Sequence, residues 1–140
     1  MATAFGLEVL LENKKLVKEL KSKRVALVCH PASVDKNLRH SFEVLQKKNG
    51  LTCAFGPQHG VNGEKQDNMI ESSTFIHPTY KIPIYSLYGE VRIPSKEMMD
   101  SFDVLIFDLQ DLGCRIYTFI TTLLYVMQEC AKHGKSILVL

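Results

Sequence analysis

The sequence predicts an α/β domain of three layers, with a mainly parallel sheet between two layers of helices. Three observations carry that expectation. Short β-branched apolar runs alternate with amphipathic segments along the chain, an order that implies right-handed crossovers between parallel strands. The strand-like runs, such as Arg24-Val-Ala-Leu-Val-Cys29, are apolar almost throughout, as strands covered on both faces are. The chain has 140 residues, 46% apolar and 23% charged, which is enough for one well-cored domain and too few for two ordinary ones.

The first element is an amphipathic helix over 7–20, with Leu7, Leu10, Leu11, Val17 and Leu20 on one face. Arg24 to Cys29 is a buried strand. A helix over 38–48 turns Leu38, Phe42 and Leu45 inward, with Asn37 as its N-cap and Gly50 just past its end. Leu51 to Phe55 is the second strand, and 56–81 is irregular. Ile82 to Tyr88 is the third strand, with Pro83 marking a sheet edge or a strand start. Pro94 opens a short helix, where its missing N–H costs nothing. Asp103 to Leu109 is the fourth strand. A helix follows on the spacing of Ile116, Phe119, Ile120, Leu123, Leu124, Met127 and Cys130, and Ser136 to Leu140 is a last strand. The resulting class is a Rossmann-like or flavodoxin-like layer. No GxGxxG follows its first strand, so neither a dinucleotide nor any other cofactor is expected. Residues 1–140 read as one domain. The chain stops within an apolar strand, so a longer protein with a further C-terminal domain is expected.

Composition excludes several classes of function. Seventeen Lys and Arg against fifteen Asp and Glu leave a net charge of +2, too balanced for a nucleic-acid partner or a basic membrane anchor. No apolar run approaches the about 18 residues of a spanning helix. The opening residues lack the basic start and apolar block of a secretory signal. The four cysteines are scattered, with no CxxC pair, and read as free thiols of a reducing compartment. A cytoplasmic location follows from these two points, with export as the alternative. Zinc-finger spacing is absent, and no metal site is expected.

Polar residues cluster where the strands end, which is where open α/β sheets bind ligands. His30-Pro-Ala-Ser33 follows the first strand, and Gly56-Pro-Gln-His-Gly60 the second, continuing through Glu64, Gln66 and Asp67. Tyr85 to Gly89, with Tyr88, follows the third. Asp108, Gln110, Asp111, Arg115 and Tyr117 follow the fourth. Each has a plainer alternative. The glycines around Gln58 and His59 serve a tight turn or a ligand; Asp108 is a carboxylate paired with Arg115 or a functional group. Asp111 N-caps the next helix or lines a site. Arg115 lies early in that helix, where the macrodipole disfavours a cation, so an anionic partner is expected. Tyr88 and Tyr117 fit core edges or the walls of a sugar site. Glu64 and Asp67 default to solvated surface. A metal-assisted hydrolase with ligands His30, His59 and Asp108 is a further alternative.

Three blocks, Phe55-Gly-Pro-Gln-His-Gly60, Tyr85-Ser-Leu-Tyr-Gly89 and Asp108-Leu-Gln-Asp-Leu-Gly-Cys-Arg-Ile-Tyr-Thr118, resemble in order and spacing the signature blocks of a bacterial family. That family, long catalogued as a domain of unknown function, is the exo-β-N-acetylmuramidases, glycoside hydrolases of peptidoglycan fragments. The likeness extends from Gly6 to Leu140. It implies a Rossmann-like N-terminal domain, a smaller C-terminal domain with a cleft between them, and release of N-acetylmuramic acid from non-reducing ends. The partner it implies is a peptidoglycan-derived sugar, and cell-wall recycling is the setting for a cytoplasmic copy. Many members carry Glu, the favoured catalytic carboxylate, where this chain has Gln58; Gln66-Asp67-Asn68-Met69 resembles a sub-branch that shares the Gln-His-Gly. The resemblance therefore leaves three outcomes open: another acid, an altered activity, or a lost one. On the first, Asp67, Glu64 or Asp108 supplies the acid, and Gln58 and His59 orient the sugar. His30, Gln66, Tyr88, Gln110, Asp111 and Tyr117 line the site, and Arg115 holds the lactyl carboxylate, whose geometry a guanidinium matches. A degenerate sugar-binding domain is the alternative.

Overall fold

The computed structural model describes residues 3–63, 73–114 and 116–140. Two short helices, α1 (Gly6–Glu12) and α2 (Lys14–Leu20), replace the single helix expected over 7–20. Asn13 makes the break. Its side-chain oxygen accepts from Leu16 N at 3.1 Å and starts a new helix, the competition with the backbone that makes Asn a capping residue. Strand β1 (Val25–Cys29) is buried at every position. Helix α3 (Ser41–Asn49) begins three residues later than its pattern predicts. The buried carboxylate of Asp35 accepts from Asn37 N and Arg39 N, both at 2.9 Å, and holds 35–39 in a turn. Asn37 is therefore not the cap, and Leu38 stands at the turn's tip, 81% exposed with φ +60°, instead of facing inward. His40 caps the helix, its Nδ1 accepting from Phe42 N.

Strands β2 (Leu51–Gly56), β3 (Phe75–Ile76) and β4 (Pro83–Ser86) come next. The two-residue β3 lies inside the stretch expected to be irregular. Pro83 opens β4 and faces Ile76 across an antiparallel pair, so it marks the strand start and not the sheet edge. Helix α4 (Lys96–Asp100) starts from Ser95, whose hydroxyl accepts from Met98 N. Strand β5 (Val104–Asp108), helix α5 (Phe119–Lys132) and strand β6 (Ser136–Val139) complete the chain.

The sheet order is β3-β4-β2-β1-β5-β6, parallel apart from β3. Alternate residues of each inner strand feed two cores. Val25, Leu27, Cys29, Ala54 and Ile106 pack with Leu7, Leu10, Leu20, Phe42 and Leu45 of α1, α2 and α3. Ala26, Val28, Phe55, Leu105 and Phe107 pack with Met99 of α4 and with Phe119, Val126 and Cys130 of α5. Burial on both faces accounts for the apolar strands, and the three layers match the predicted class. Helix α5 is apolar on two adjacent stripes. Phe119, Thr122, Val126 and Cys130 are buried, whereas Ile120, Leu124 and Met127 are exposed, against expectation, as is Ile116, which lies before the helix. No helix of the described residues is long and apolar enough to cross a membrane. Cys29, Cys53 and Cys130 are buried free thiols, and Cys114 is an exposed one.

Candidate active site

Four of the five parallel strands, β1, β2, β4 and β5, end at Cys29, Gly56, Ser86 and Asp108, so the loops after them leave one edge of the sheet. From β1 the chain steps outward to β2 and β4, then returns to β5 on the other side of β1. That fork is the topological switch point, where the crossovers diverge and leave a crevice.

A cavity of about 560 Å³ opens there, lined by His30, Gln58, His59, Ile116, Tyr117, Thr118 and Phe119. It joins the ends of β1 and β2 to the start of α5. The turn after β2 is built to present two side chains. Gly60 N donates to Pro57 O at 2.9 Å, and both His59 and Gly60 adopt positive φ, +72° and +76°. A left-handed conformation is unfavourable for a histidine, and such strain concentrates where a side chain must be aimed. Gly56 has no room for a side chain: a Cβ there would stand 2.8 Å from Val61 N. The glycines thus form the tight turn, and the turn serves the cavity.

Gln58 is held from across the cavity. Thr118 Oγ1 donates to Gln58 Oε1 at 3.3 Å, which directs the amide NH2 of Gln58 to donate elsewhere. Thr118 is the N-cap residue of α5, yet its hydroxyl makes no cap bond. A cap is worth about 0.5–2 kcal/mol, so its use on Gln58 is a departure from what helix stability alone selects. The His30 ring lies against Phe119, centroids 5.2 Å apart, and Tyr117 meets Phe119 edge-on at 5.8 Å. Partial burial lowers the His30 pKa, and the neighbouring His59 and His40 lower it further, so His30 is a neutral acceptor or donor near pH 7.

Asp108 ends β5 beside Cys29 and lies behind this wall. Ser33 ties it to the β1 loop: the hydroxyl accepts from His30 N at 2.9 Å and donates to the Asp108 carbonyl oxygen. The Asp108 Oδ2 is buried with no hydrogen-bond partner, and so is Ser41 Oγ. Burial raises the Asp108 pKa; Ser41 and His40 pull the other way without offsetting it. The expected pairing with Arg115 falls outside the described residues, as do Glu64, Gln66, Asp67 and Arg115 themselves.

Of the remaining candidates, Tyr88 follows β4 on the same edge but is not among the cavity's lining residues; the Arg92 guanidinium stands 6.0 Å from its ring centre. Gln110 is exposed. Asp111 does not cap α5, which starts eight residues later. Its carboxylate accepts from Gly113 N at 2.6 Å and closes a local turn. Among the described residues no three His, Cys, Asp or Glu side chains group to hold a metal ion, so His30, His59 and Asp108 do not form the ligand set of the metal-assisted alternative. Sequence reasoning missed Ile116, Thr118 and Phe119 as lining residues, because their apolar and β-branched character reads as helix core. The available signal was Thr118 at a cap position directly after a strand-end loop.

The same blocks that build this cavity lie in the stretch that comparison with known proteins identifies. Residues 25–140 match the family model described as exo-beta-N-acetylmuramidase NamZ, N-terminal. The chain belongs to this family. A curated NamZ-family relative, the peptidoglycan beta-N-acetylmuramidase NamZ of Bacillus subtilis (strain 168), is 39% identical over 137 residues, covering 96% of this chain and 32% of the relative. Two solved structures of DUF1343 family proteins from Bacteroides fragilis NCTC 9343 are also similar. One has a TM-score of 0.83 at 37% identity, over 98% of this chain and 34% of that protein. The other has a TM-score of 0.77 at 29% identity, over 100% and 35%. The chain thus spans about a third of the length of these relatives.

Proposed function

We propose that this chain forms the sugar-binding face of a glycoside hydrolase that releases N-acetylmuramic acid from the non-reducing ends of peptidoglycan fragments, together with a C-terminal portion of the kind its longer relatives have. One observation carries the reading: in a member of the NamZ N-terminal family, His30, Gln58, His59 and Tyr117 converge on one cavity at the switch point of the sheet. At about 560 Å³ the cavity is within the size range of small-ligand sites. It offers an aromatic wall with convergent polar groups, which suits one face of an amino sugar.

Glycoside hydrolysis needs a protonated acid at the leaving oxygen, and an N-acetyl sugar can supply its own amide oxygen as the nucleophile. In this chain Gln58 cannot titrate. Held by Thr118, its NH2 donates to the acetamido group and orients it. The acid comes from Asp67, Glu64 or Asp108. Burial keeps the Asp108 carboxyl protonated to higher pH than an ordinary carboxylate, but Asp108 does not line the cavity, so it serves only if its carboxyl turns toward the sugar. Arg115 binds the lactyl carboxylate. The test is release of N-acetylmuramic acid from a chromogenic muramide by the chain fused to the C-terminal portion of a NamZ relative. Loss of turnover in Asp67→Asn or in Asp108→Asn, tested separately, identifies the acid; unchanged turnover in both leaves Glu64 and refutes the other two.

Gln58 itself favours a second reading, a domain that binds the sugar without cleaving it. Gln58→Glu separates the two. A gain of hydrolysis in the variant over an inactive parent supports binding alone in the natural chain.

A further inference from the structure

A second feature lies away from the cavity, between α2 and α3. A groove of about 560 Å³ is lined by Leu11, Glu12, Lys14, Val17, Lys18, Lys21 and Lys48, none of which lines the saccharide cavity. Four of the seven are lysines, all exposed, and none makes a side-chain hydrogen bond or ion pair among the described residues. One carboxylate, Glu12, lines the groove against the four lysines; Glu43 on α3 is engaged with Lys47 and the Tyr80 hydroxyl, and Asp35 with Arg39. Lys48 also lines an adjoining groove, but the other cations there, Arg39 and Lys47, are paired with Asp35 and Glu43, so the unpaired lysines are confined to the first groove.

Helix stability does not account for this arrangement. Lys14 and Lys18 are four apart on α2, where like charges repel, and Lys14 stands in a first turn that holds no acidic residue, against the macrodipole. The positions run Lys14, Lys18, Lys21 along one face, about 10 Å of helix at 1.5 Å per residue, with Lys48 opposite. A protein of net charge +2 has concentrated unpaired cations along a line.

We propose that the α2–α3 groove binds a linear polymer carrying repeated phosphate groups. Lysines are point charges that suit phosphate, whereas discrete carboxylates are better matched by the paired donors of arginine, and no arginine lines this groove. No aromatic residue lines it either, so the stacking platform of a single-stranded nucleic-acid site is missing. Leu11 and Val17 give the groove an apolar floor for the polymer's linking groups.

The experiment uses the chain as it stands, with labelled inorganic polyphosphate as the probe and anisotropy as the readout. Four neutralised phosphates correspond to a log–log salt slope near about −3, hence roughly 50-fold weaker binding at 200 mM than at 50 mM salt. The combined Lys14→Gln, Lys18→Gln, Lys21→Gln and Lys48→Gln variant is expected to bind at least about tenfold more weakly and to have a slope near zero, with an unchanged circular dichroism spectrum because all four side chains are exposed. Lys81→Gln, which removes an exposed charge elsewhere, is expected to bind as the parent does. The proposal is overturned if polyphosphate fails to bind at 50 mM salt, or if the combined variant binds as well as the parent. It is equally overturned if Lys81→Gln is as damaging as the groove substitutions. Polyglutamate binding as tightly as polyphosphate would make the groove a general anion surface, and tighter binding of duplex DNA would make it a nucleic-acid surface; either result refutes the assignment.

Discussion

Replacing Asp108 by Asn tests whether the end of β5 holds a functional carboxyl at the expense of stability. The Oδ2 atom is buried without a partner. A buried polar group left unsatisfied costs about 1–3 kcal/mol, and more when charged. Because burial raises the carboxyl's folded-state pKa above its model value of 3.8, the folded state binds the proton more tightly than the unfolded chain does. Below the unfolded pKa both states are protonated and there is no charge penalty. As pH rises from there through the raised folded pKa, stability is lost, and above it the loss is complete. Asn, neutral at every pH, escapes that loss. The variant is therefore expected to be more stable than the parent at pH 7, with a higher Tm. The gap should close near pH 3.5, as read by thermal unfolding across a pH series. A gap independent of pH, or a parent more stable than Asn at pH 7, would refute the reasoning and return Asp108 to the class of well-paired structural carboxylates.

Other substitutions probe the surrounding elements. Gly56→Ala forces a Cβ to within 2.8 Å of Val61 N in the turn that carries Gln58 and His59; a loss of about 1–3 kcal/mol in urea unfolding is expected, together with weaker sugar binding. Thr118→Val removes the hydroxyl that holds Gln58 and no helix cap, so binding of N-acetylmuramic acid should fall several-fold in calorimetry while stability stays within about 0.5 kcal/mol. Phe102→Ala empties a fully buried site against Phe55 and should cost about 3–5 kcal/mol by chemical denaturation. Among the thiols, burial pushes Cys53 and Cys130 up to about 11, and Cys29 higher still, so at pH 8 a thiol reagent should modify Cys114 rapidly and the other three only on unfolding.

The parallel sheet and its layers were legible because the inner strands are buried on both sides, and nothing else selects runs such as Val25–Cys29 and Val104–Asp108. The helices were harder wherever a polar side chain overrides the period. Asn13 splits one helix into two, and Asp35 delays α3 by binding backbone amides that a helix would otherwise use. Helix α5 shows a different limit. Its apolar residues fill two adjoining stripes, so the spacing fits either face equally well, and only the packing of Val126 and Cys130 on the sheet selects one.

The cavity was legible for a topological reason. Once four strands are parallel, the loops that follow them must leave from one edge, and His30, Gln58, His59 and Tyr117 needed only that rule to be placed together. What the rule does not give is depth. It put Asp108 on the same edge but not behind Ser33, and it put Tyr88 on the same edge but not against the cavity. The bond from Thr118 to Gln58 lay further out of reach, because a threonine ahead of a helix is read first as a cap. That bond gives Gln58 a defined orientation. An amide that merely marked a decayed acid would need no such anchoring, and anchoring it leaves α5 without its cap bond. The cost to α5 supports the proposed role of Gln58 in holding a ligand.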